Sequence, residues 1–473
     1  MKATHILGLM LGSGTLVVAS AFGCGSADTS GFEDPNGSSG GEGGSSPIFG
    51  SHDGGEGGGP CQGLQCQQKT CSGGRDTTVT GTVFAPNGTL PLYNAIVYVP
   101  NTKPEPLTKG ATCDKCGAVT GNPVVSAISD SSGKFTLKNV PVGANIPLVI
   151  QIGKWRRQVT IPNVQECVQT KLSDPELTRL PKKQSEGDMP QIALTTGGCD
   201  KLGCMLPKVG IDPSEFGIES DGPSKAVHTY LGLGAGGSAA VGAPPGAASS
   251  SSLWSTTASL MKYDLAILSC ECSERLENKG GSDTGAPFTV MADYMKAGGR
   301  IFTTDFMYTW YRYSGDAQLK TAASWRGGAP GAGSPMTFDG TFPKGAALVD
   351  WLQTVGATTT KGQLKPDVVW GNIISLDANK TQAWAESGNP NAGDRVFTVN
   401  VPVGVPADQQ CGKGVHIDAH LNQQPPDTVD STYPAGCNSP LKPGENLLAF
   451  FFFDLASCIQ NDGQPPAPPP VVK

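Results

Sequence analysis

The sequence is poor in charged and aromatic residues. Charged side chains make up 16 % and aromatic side chains 7 % of the 473 residues, whereas glycine (64) and proline (38) are abundant. This composition disfavours a helical bundle, because Gly and Pro are the weakest helix formers, and it favours loop-rich β and α/β domains. About 410 residues follow the first sixty, which is enough for two or more domains.

Basic residues are missing from the segment 25–60, which consists mostly of glycine, serine and acidic residues. Of the formal net charge of −7 at pH 7, this segment supplies −6 and Lys2 supplies +1, which leaves −2 for residues 61–473. A body so close to neutral argues against nucleic acid as a partner. Because the segment has too little apolar surface to offset its ordering entropy, we expect residues 24–75, with their Cys-rich end, to form a disordered tether.

A long hydrophobic run of the kind that spans a membrane is also missing. The run Ile6–Ala21 follows Lys2 and has the length of the apolar part of a secretory leader. It stops just before Cys24, and leader and cysteine together resemble the signal of bacterial lipoproteins, in which the cysteine becomes the lipidated first residue. The resemblance implies a signal peptide over 1–23, a lipid anchor in the membrane at Cys24 and a location in the cell envelope. Ala19-Ser-Ala also fits an A-x-A cleavage site, so a secreted soluble protein is the alternative.

Fourteen cysteines in an exported chain favour disulfides over free thiols. Cys113-Asp-Lys-Cys116 has the spacing of half a zinc site or of a redox pair, but no second C-x-x-C exists and the pair lies in a Gly/Thr/Pro-rich loop. We therefore predict structural disulfides, with zinc and redox roles as alternatives, and the candidates are Cys113, Cys116, Cys411 and Cys437. If Cys24 is lipidated, thirteen cysteines remain, and at least one cannot pair within the chain.

Residues 76–170 are predicted to form a small β-sandwich. Short alternating segments such as Thr78–Ala85 and Lys134–Lys138 are separated by Gly, Pro and Asp turns. Gly81-Thr-Val, Ala95-x-Val, Ser129-Asp-Ser-Ser-Gly-Lys-Phe-Thr-Leu and Val140-Pro-x-Gly resemble the carboxypeptidase regulatory-like domain, a transthyretin-like seven-stranded sandwich. The resemblance implies a non-catalytic module, which a linker over 171–187 follows.

The sandwich carries one basic and aromatic cluster, Lys154-Trp-Arg-Arg. If Trp155 is exposed, then Trp155, Arg156 and Arg157 form a candidate surface for an anionic envelope polysaccharide, through stacking and charge. The alternative is that Trp155 caps the sandwich core while the cations face water.

Residues 188–460 are predicted to form an α/β domain with a doubly wound, flavodoxin-like sheet. The apolar strand Tyr263–Cys270, a helix over Pro287–Ala297 and the strand Arg300–Asp305 alternate in the way that parallel sheets require. The later run Leu447–Leu455 is short and contains Asp454, which predicts the end of a buried helix. Residues 461–473 form a Pro-rich tail.

The units Tyr263-Asp-Leu-Ala-Ile-Leu and Gly298-Gly-Arg-Ile-Phe-Thr-Thr resemble the class I glutamine amidotransferase-like fold, with an insertion at about 306–395. In that family the nucleophile is a cysteine on a sharp Gly-flanked elbow. Cys270 stands in Ser-Cys-Glu-Cys-Ser without a flanking glycine. The catalytic activity is therefore not carried over to this chain.

Polar residues end three of the predicted strands, where ligands bind in open parallel sheets. They include Glu271 and Asp305, and period-two alternation puts His416, Asp418 and His420 on one face. Two imidazoles and a carboxylate are a recognised set of ligands for a divalent metal. The alternative is a strand that leaves the sheet and turns its polar face to solvent.

Three functions are consistent with these residues. The favoured one is a cell-envelope lipoprotein that acts as a non-catalytic binding or structural module and needs no cofactor. The second is a metal-assisted hydrolase at the carboxyl ends of the strands, with His416, Asp418 and His420 on the metal and Asp305 or Glu271 as general base. The third is a thiol-dependent activity at Cys270.

Overall fold

The computed structural model of the chain describes residues 61–114, 119–328, 331–389, 393–422 and 433–472. These residues belong to one compact unit that begins at Gly58. The predicted signal peptide, Cys24, most of the predicted tether and Cys116 lie outside the described residues. Over the described ranges, no helix combines the length and the apolar character needed to cross a membrane.

Seven strands form the small β-sandwich. They are β1 (Thr78–Thr82), β2 (Ile96–Pro100), β3 (Pro123–Ile128), β4 (Lys134–Lys138), β5 (Gly143–Ile152), β6 (Trp155–Val164) and β7 (Gln169–Lys171). A three-stranded sheet of order β4-β1-β7 and a four-stranded sheet of order β3-β2-β5-β6 share one apolar core. In β4, Phe135 and Leu137 are buried while the residues between them are exposed, which is the alternation that predicts a half-buried strand. The expected pair of sandwich sheets is confirmed.

The rest of the described chain alternates between strands and helices. Its first part contains β8 (Ile192–Thr195), α1 (Met205–Lys208), β9 (Phe216–Gly217), β10 (Val227–Tyr230), α2 (Ser250–Leu253), α3 (Thr257–Leu260), β11 (Leu265–Leu268), α4 (Ala286–Lys296), β12 (Arg300–Thr304), α5 (Thr309–Arg312) and α6 (Ala317–Lys320). Its second part contains β13 (Ala323–Trp325), β14 (Met336–Phe338), α7 (Pro343–Thr354), β15 (Gln363–Leu364), β16 (Val368–Val369), β17 (Ile373–Leu376), β18 (Thr381–Glu386), β19 (Asp394–Val401), β20 (Gly412–Ile417), β21 (Ala419–His420) and α8 (Pro443–Ala456).

Ten of these strands form one sheet, in the order β15-β14-β18-β19-β20-β12-β11-β8-β10-β9. From β20 to β9 all neighbours are parallel, whereas from β20 to β15 all neighbours are antiparallel. The parallel half is the part that strand–helix alternation predicts. The segment 306–395, predicted as an insertion, supplies β14, β15 and β18, so it extends the same sheet in the antiparallel sense.

The parallel strands are buried on both faces. In β11, Leu265 and Ile267 face one apolar core while Ala266 and Leu268 face another. Helices α7 and α8 contribute to the first core, and α4 and α5 contribute to the second. Helices on both faces explain why these strands are continuously apolar rather than alternating.

Helix α8 is buried along almost its whole length, from Gly444 to Ala456. Its phenylalanines point in opposite directions. The Phe452 ring packs edge-on against Trp155 of the sandwich, with ring centroids 5.7 Å apart, whereas Phe451 packs against Trp384 of β18 at 4.9 Å. The helix thus joins the cores of the sandwich and of the large sheet, and the predicted buried helix is confirmed.

Four charges are buried next to α8. Lys344 of α7 lies 2.6 Å from Asp454 and 2.8 Å from Asp462, and Lys413 of β20 lies 2.7 Å from each of the two carboxylates. Burial alone lowers the pKa of Lys344, but the two carboxylates outweigh it and raise that pKa above its usual value. Asp462 belongs to the predicted Pro-rich tail, whose Val472 donates a backbone hydrogen bond to Pro123 of β3. The tail therefore runs back along the sandwich.

Five disulfides join described cysteines. The pairs are Cys61–Cys66, Cys71–Cys167, Cys113–Cys411, Cys199–Cys272 and Cys204–Cys437. Cys458 is also disulfide-bonded, and Cys270 is a buried free thiol. Structural disulfides are confirmed for Cys113, Cys411 and Cys437. Because Cys113 pairs with Cys411 rather than within its C-x-x-C motif, it has neither the zinc nor the redox role.

Removal of one lysine tests the buried group of four charges. We expect Lys344→Met to lower the free energy of unfolding by about 3–5 kcal/mol, because it leaves two buried carboxylates with one cation. Urea unfolding followed by circular dichroism measures the loss. The matched control is Lys361→Met, which breaks the exposed pair between Lys361 and Asp350 and should cost no more than about 1 kcal/mol. Equal losses in both variants would contradict this account.

Candidate functional site

The candidate site lies at the carboxyl ends of three adjacent parallel strands. Cys270 follows β11, Asp305 follows β12 directly, and His420 ends β21, just beyond β20. The register pairs Leu268 with Thr303, and Thr304 with Ile417, so the three strands end at the same edge of the sheet. Strand topology therefore brings the three side chains together.

Asp305 is the centre of this group. Its Oδ2 atom lies 2.9 Å from His420 Nε2 and accepts a hydrogen bond from the Cys270 thiol at 3.2 Å. The three residues are at most 2 % exposed. One carboxylate oxygen, one sulfur and one imidazole nitrogen thus lie within 4.8 Å of one another inside the protein.

The backbone of Asp305 is left-handed, with φ 42°. A non-glycine residue rarely adopts this conformation, which costs about 1–3 kcal/mol. Asp305 stands at the sharp turn where β12 ends and a short helical turn over 305–308 leads into α5. Such a conformation persists only where the surrounding structure holds it.

A second layer of polar groups holds Asp305. Asn372 donates from Nδ2 to Asp305 Oδ1 at 2.9 Å and to Asp418 Oδ1 at 2.8 Å. Asp418 in turn binds Arg395 at 2.7 Å. Burial raises the pKa of Asp418 to about 6, although Arg395 acts against it. Sequence reasoning missed Asn372 and Arg395, because both come from the segment that carries no strand–helix alternation.

His416 lies apart from this group. Its Nδ1 atom is 3.0 Å from the Thr303 hydroxyl, and its ring packs among Tyr311, Trp325 and Phe397. Burial and Arg395 lower the pKa of His416 to about 3, so the ring is neutral. Of the predicted set His416, Asp418 and His420, only His420 joins Asp305. The set is not turned to solvent either, since all three residues are buried.

Glu271 has a different partner. It forms a fully buried ion pair with Lys279 at 2.8 Å and accepts hydrogen bonds from Leu233 N and Asn278 Nδ2. A carboxylate held by three donors anchors the surrounding loops. Its predicted role as a general base has no support in this geometry, because the oxygens already accept hydrogen bonds.

Cys270 is not arranged as a nucleophile. In a thiol triad the imidazole hydrogen-bonds to the sulfur, but here the Asp305 carboxylate does so, and the His420 imidazole contacts the same carboxylate oxygen. Burial, followed by the charge of Asp305, raises the pKa of the Cys270 thiol well above its ordinary value. The thiol is therefore protonated, and the thiol-dependent activity loses its reactive group.

The polysaccharide surface predicted on the sandwich is wrong as placed. Trp155 is fully buried and donates from Nε1 to Pro181 O at 3.0 Å. Arg156 is buried in an ion pair with Asp188 at 2.9 Å. Arg157 is half-buried and donates to Glu176 O. A buried indole cannot stack on a sugar, because α8 covers it.

A cleft of about 730 Å³ opens where the sandwich meets the other layers. It lies between the β1–β2 loop, the end of α7 and the loop after Cys437, and its polar lining includes Asn87, Thr89, Asn438 and Ser439. Lys208, a cation at the wall, is paired with Glu445 at 2.7 Å. The lining is thus polar and largely neutral.

Comparisons with known proteins add little. No protein-family profile matches the chain, and no curated protein matches it. Among solved structures, two mutants of a type II cohesin–X-dockerin complex from Acetivibrio cellulolyticus align at 18 % and 17 % identity, over 31 % and 29 % of this chain and 79 % and 85 % of theirs, with TM-scores of 0.14 and 0.17. A 9R-lipoxygenase from Cyanothece aligns at 11 % identity over 22 % of this chain and 17 % of its own, with a TM-score of 0.12. Similarities this weak carry no argument about fold or function.

The raised pKa of Asp200, which lies next to the candidate site, can be tested by mutation. Its carboxylate accepts backbone hydrogen bonds from Leu421 and Asn422, just after His420, and burial raises its pKa from 3.8 to about 6. A raised pKa means that the folded protein binds a proton that the unfolded chain does not, so the contribution of Asp200 to stability falls as pH rises from about 4 to about 6. We expect Asp200→Asn to be more stable than the natural chain at pH 7 by up to about 3 kcal/mol, and equal to it near pH 4.

Urea unfolding at pH 4, 5 and 7 checks this expectation. The exposed Asp283→Asn is the matched control, and its stability should follow that of the natural chain at every pH. A loss of stability in Asp200→Asn that is the same at all three pH values would contradict the raised pKa of Asp200.

Proposed function

We propose that this chain is a cell-envelope lipoprotein that acts as a non-catalytic binding or structural module, anchored in the membrane through Cys24. The burial of the strand-end groups carries the proposal. Cys270, Asp305 and Asp418 are at most 1 % exposed, and they bind one another or Asn372 and Arg395. These three side chains are therefore not exposed to a substrate at that edge of the sheet.

The disulfides support an extracytoplasmic location. Five bonds among the described cysteines form and persist in an oxidising compartment, as the envelope or the exterior provides. The Cys113–Cys411 bond ties a loop of the sandwich to the start of β20. A module built this way keeps its surfaces in a fixed arrangement, as a structural role requires.

The two resemblances fit the same proposal. Seven strands in sheets of three and four support a carboxypeptidase regulatory-like sandwich. The parallel half of the large sheet supports an amidotransferase-like fold. At its sharp strand-to-helix turn stands Asp305, with φ 42°, whereas an amidotransferase carries its nucleophilic cysteine on such an elbow. An amidotransferase-like fold without its nucleophile is consistent with a binding role.

The cleft is the surface that we propose for an envelope polysaccharide. Its volume lies in the range of about 300–1,000 Å³ that ligand sites occupy. The exposed amide of Asn438 and the exposed hydroxyl of Thr89 can both donate and accept hydrogen bonds, as sugar hydroxyls do. We therefore propose the cleft, instead of the surface at Trp155, as the site for the polysaccharide.

Anchoring is tested at Cys24. In a bacterial host that carries the lipoprotein pathway, we expect the natural chain to incorporate labelled palmitate and to sediment with membranes. We expect Cys24→Ser to do neither, because the thiol that takes the lipid is gone. Ser26→Ala is the control and should behave as the natural chain. A soluble mature protein that begins at Phe22 would show that the chain is secreted without a lipid anchor.

Binding is tested by blocking the cleft. Thr89 and Asn438 are exposed, so Thr89→Trp with Asn438→Trp fills the cleft without disturbing the core. We expect the purified protein to be retained by isolated envelope polysaccharide, and the double variant to bind at least about tenfold more weakly. Thr359→Trp, on an exposed loop elsewhere, is the matched control. Absence of retention, or equal retention of both variants, would refute the proposed ligand.

A further inference from the structure

We infer that Cys270, Asp305 and His420 form a binding site for one divalent transition-metal ion of the zinc type. The three residues supply a thiol sulfur, a carboxylate oxygen and an imidazole nitrogen within 4.8 Å of one another. The inference is independent of the proposed function, because a buried metal can stabilise a fold without taking part in a reaction.

The distances are close to those that a zinc ion requires. With bonds of about 2.3 Å to sulfur and about 2.0–2.1 Å to oxygen and nitrogen, tetrahedral angles separate sulfur and oxygen by about 3.5 Å, and nitrogen and oxygen by about 3.3 Å. The observed separations are 3.2 Å between Cys270 Sγ and Asp305 Oδ2, and 2.9 Å between His420 Nε2 and the same oxygen. For these two pairs, an outward shift of a few tenths of an ångström reaches the zinc geometry, and the third pair, Cys270 Sγ and His420 Nε2, lies within 4.8 Å.

The charges also favour a cation at this point. When the metal binds, the Cys270 thiol loses its proton, and Nε2 of His420 gives up its hydrogen bond to Asp305 and binds the ion, so that the one proton of the neutral imidazole lies on Nδ1. A thiolate and a carboxylate then neutralise the two positive charges. A buried site with no net charge avoids the cost of an unpaired ion in the interior.

The surroundings hold the ligands in position. Asn372 fixes the second oxygen of Asp305 at 2.9 Å, which leaves Oδ2 directed at Cys270 and His420. Such outer hydrogen bonds are what orient carboxylate ligands in metal sites.

The three kinds of ligand atom favour a particular class of metal ion. One sulfur, one nitrogen and one oxygen suit Zn²⁺ and related transition metals, whereas Mg²⁺ and Ca²⁺ need oxygen ligands alone. Three protein ligands leave one coordination position for a further group.

The test uses the full chain, purified from an oxidising compartment and incubated with Zn²⁺ or Co²⁺ alone. We expect about one zinc per chain by elemental analysis. The cobalt-loaded protein should show a thiolate-to-cobalt charge-transfer band, and zinc should raise the melting temperature. We expect Cys270→Ser to abolish the charge-transfer band, and Cys270→Ser and His420→Gln each to weaken metal binding at least about tenfold.

Two histidine variants are the controls. His228→Gln alters a buried histidine that binds Tyr263, away from the site, and His416→Gln alters the histidine among the aromatic rings. Both should keep the metal. If His416→Gln loses it while Cys270→Ser keeps it, the inference is wrong. If the site variants fail to fold, the test relies on measurements of the natural chain alone. Absence of bound zinc, or of the thiolate–cobalt band, in the natural chain overturns the inference.

Discussion

The fold depends on the burial of one short, wholly apolar stretch, Phe450–Phe453 of α8. A helix that is hydrophobic all round needs partners on every side, and here the sandwich covers one side while the large sheet covers the other. Neither layer could leave α8 without exposing its own apolar face, including Trp155 and Trp384. The burial of Trp155, the course of the tail and the position of the cleft all follow from this shared helix.

Most buried charges of the described chain lie in ion pairs with a buried partner of opposite charge. Lys344 and Lys413 meet Asp454 and Asp462, Lys279 meets Glu271, and Arg395 meets Asp418. Such pairs add little net stability compared with apolar residues, but each fixes a unique arrangement, since a misplaced partner leaves a bare charge in the interior. The group around Asp305 differs, because among the described residues the partners of its carboxylate are Cys270, Asn372 and His420, and neither a lysine nor an arginine pairs with it. That difference is why this point, and not the others, is suited to an added cation.

Local patterns predicted much of the fold. The sequence β11–α4–β12 follows from an apolar run, a helix with a Gly-Gly end and a second apolar run, and the rule that parallel strands end together placed Asp305 and His420 at one edge. What failed depends on distant contacts. Trp155 is buried by a helix from the far end of the chain. Asn372 lies just before β17 and Arg395 lies in β19, and both of these strands pair in the antiparallel sense. The alternation assumed for His416, Asp418 and His420 breaks because β20 ends at Ile417.

The Cys113–Cys411 bond closes a loop that contains most of the large sheet, including the exposed turns between its strands. A protease that cuts one peptide bond inside this loop produces two pieces that remain covalently joined. The sheet holds them together by its hydrogen bonds, and the disulfide keeps a piece that detaches for a moment from diffusing away. In an oxidising compartment, a single cut in this loop therefore leaves the two pieces joined, and a piece that detaches can dock again.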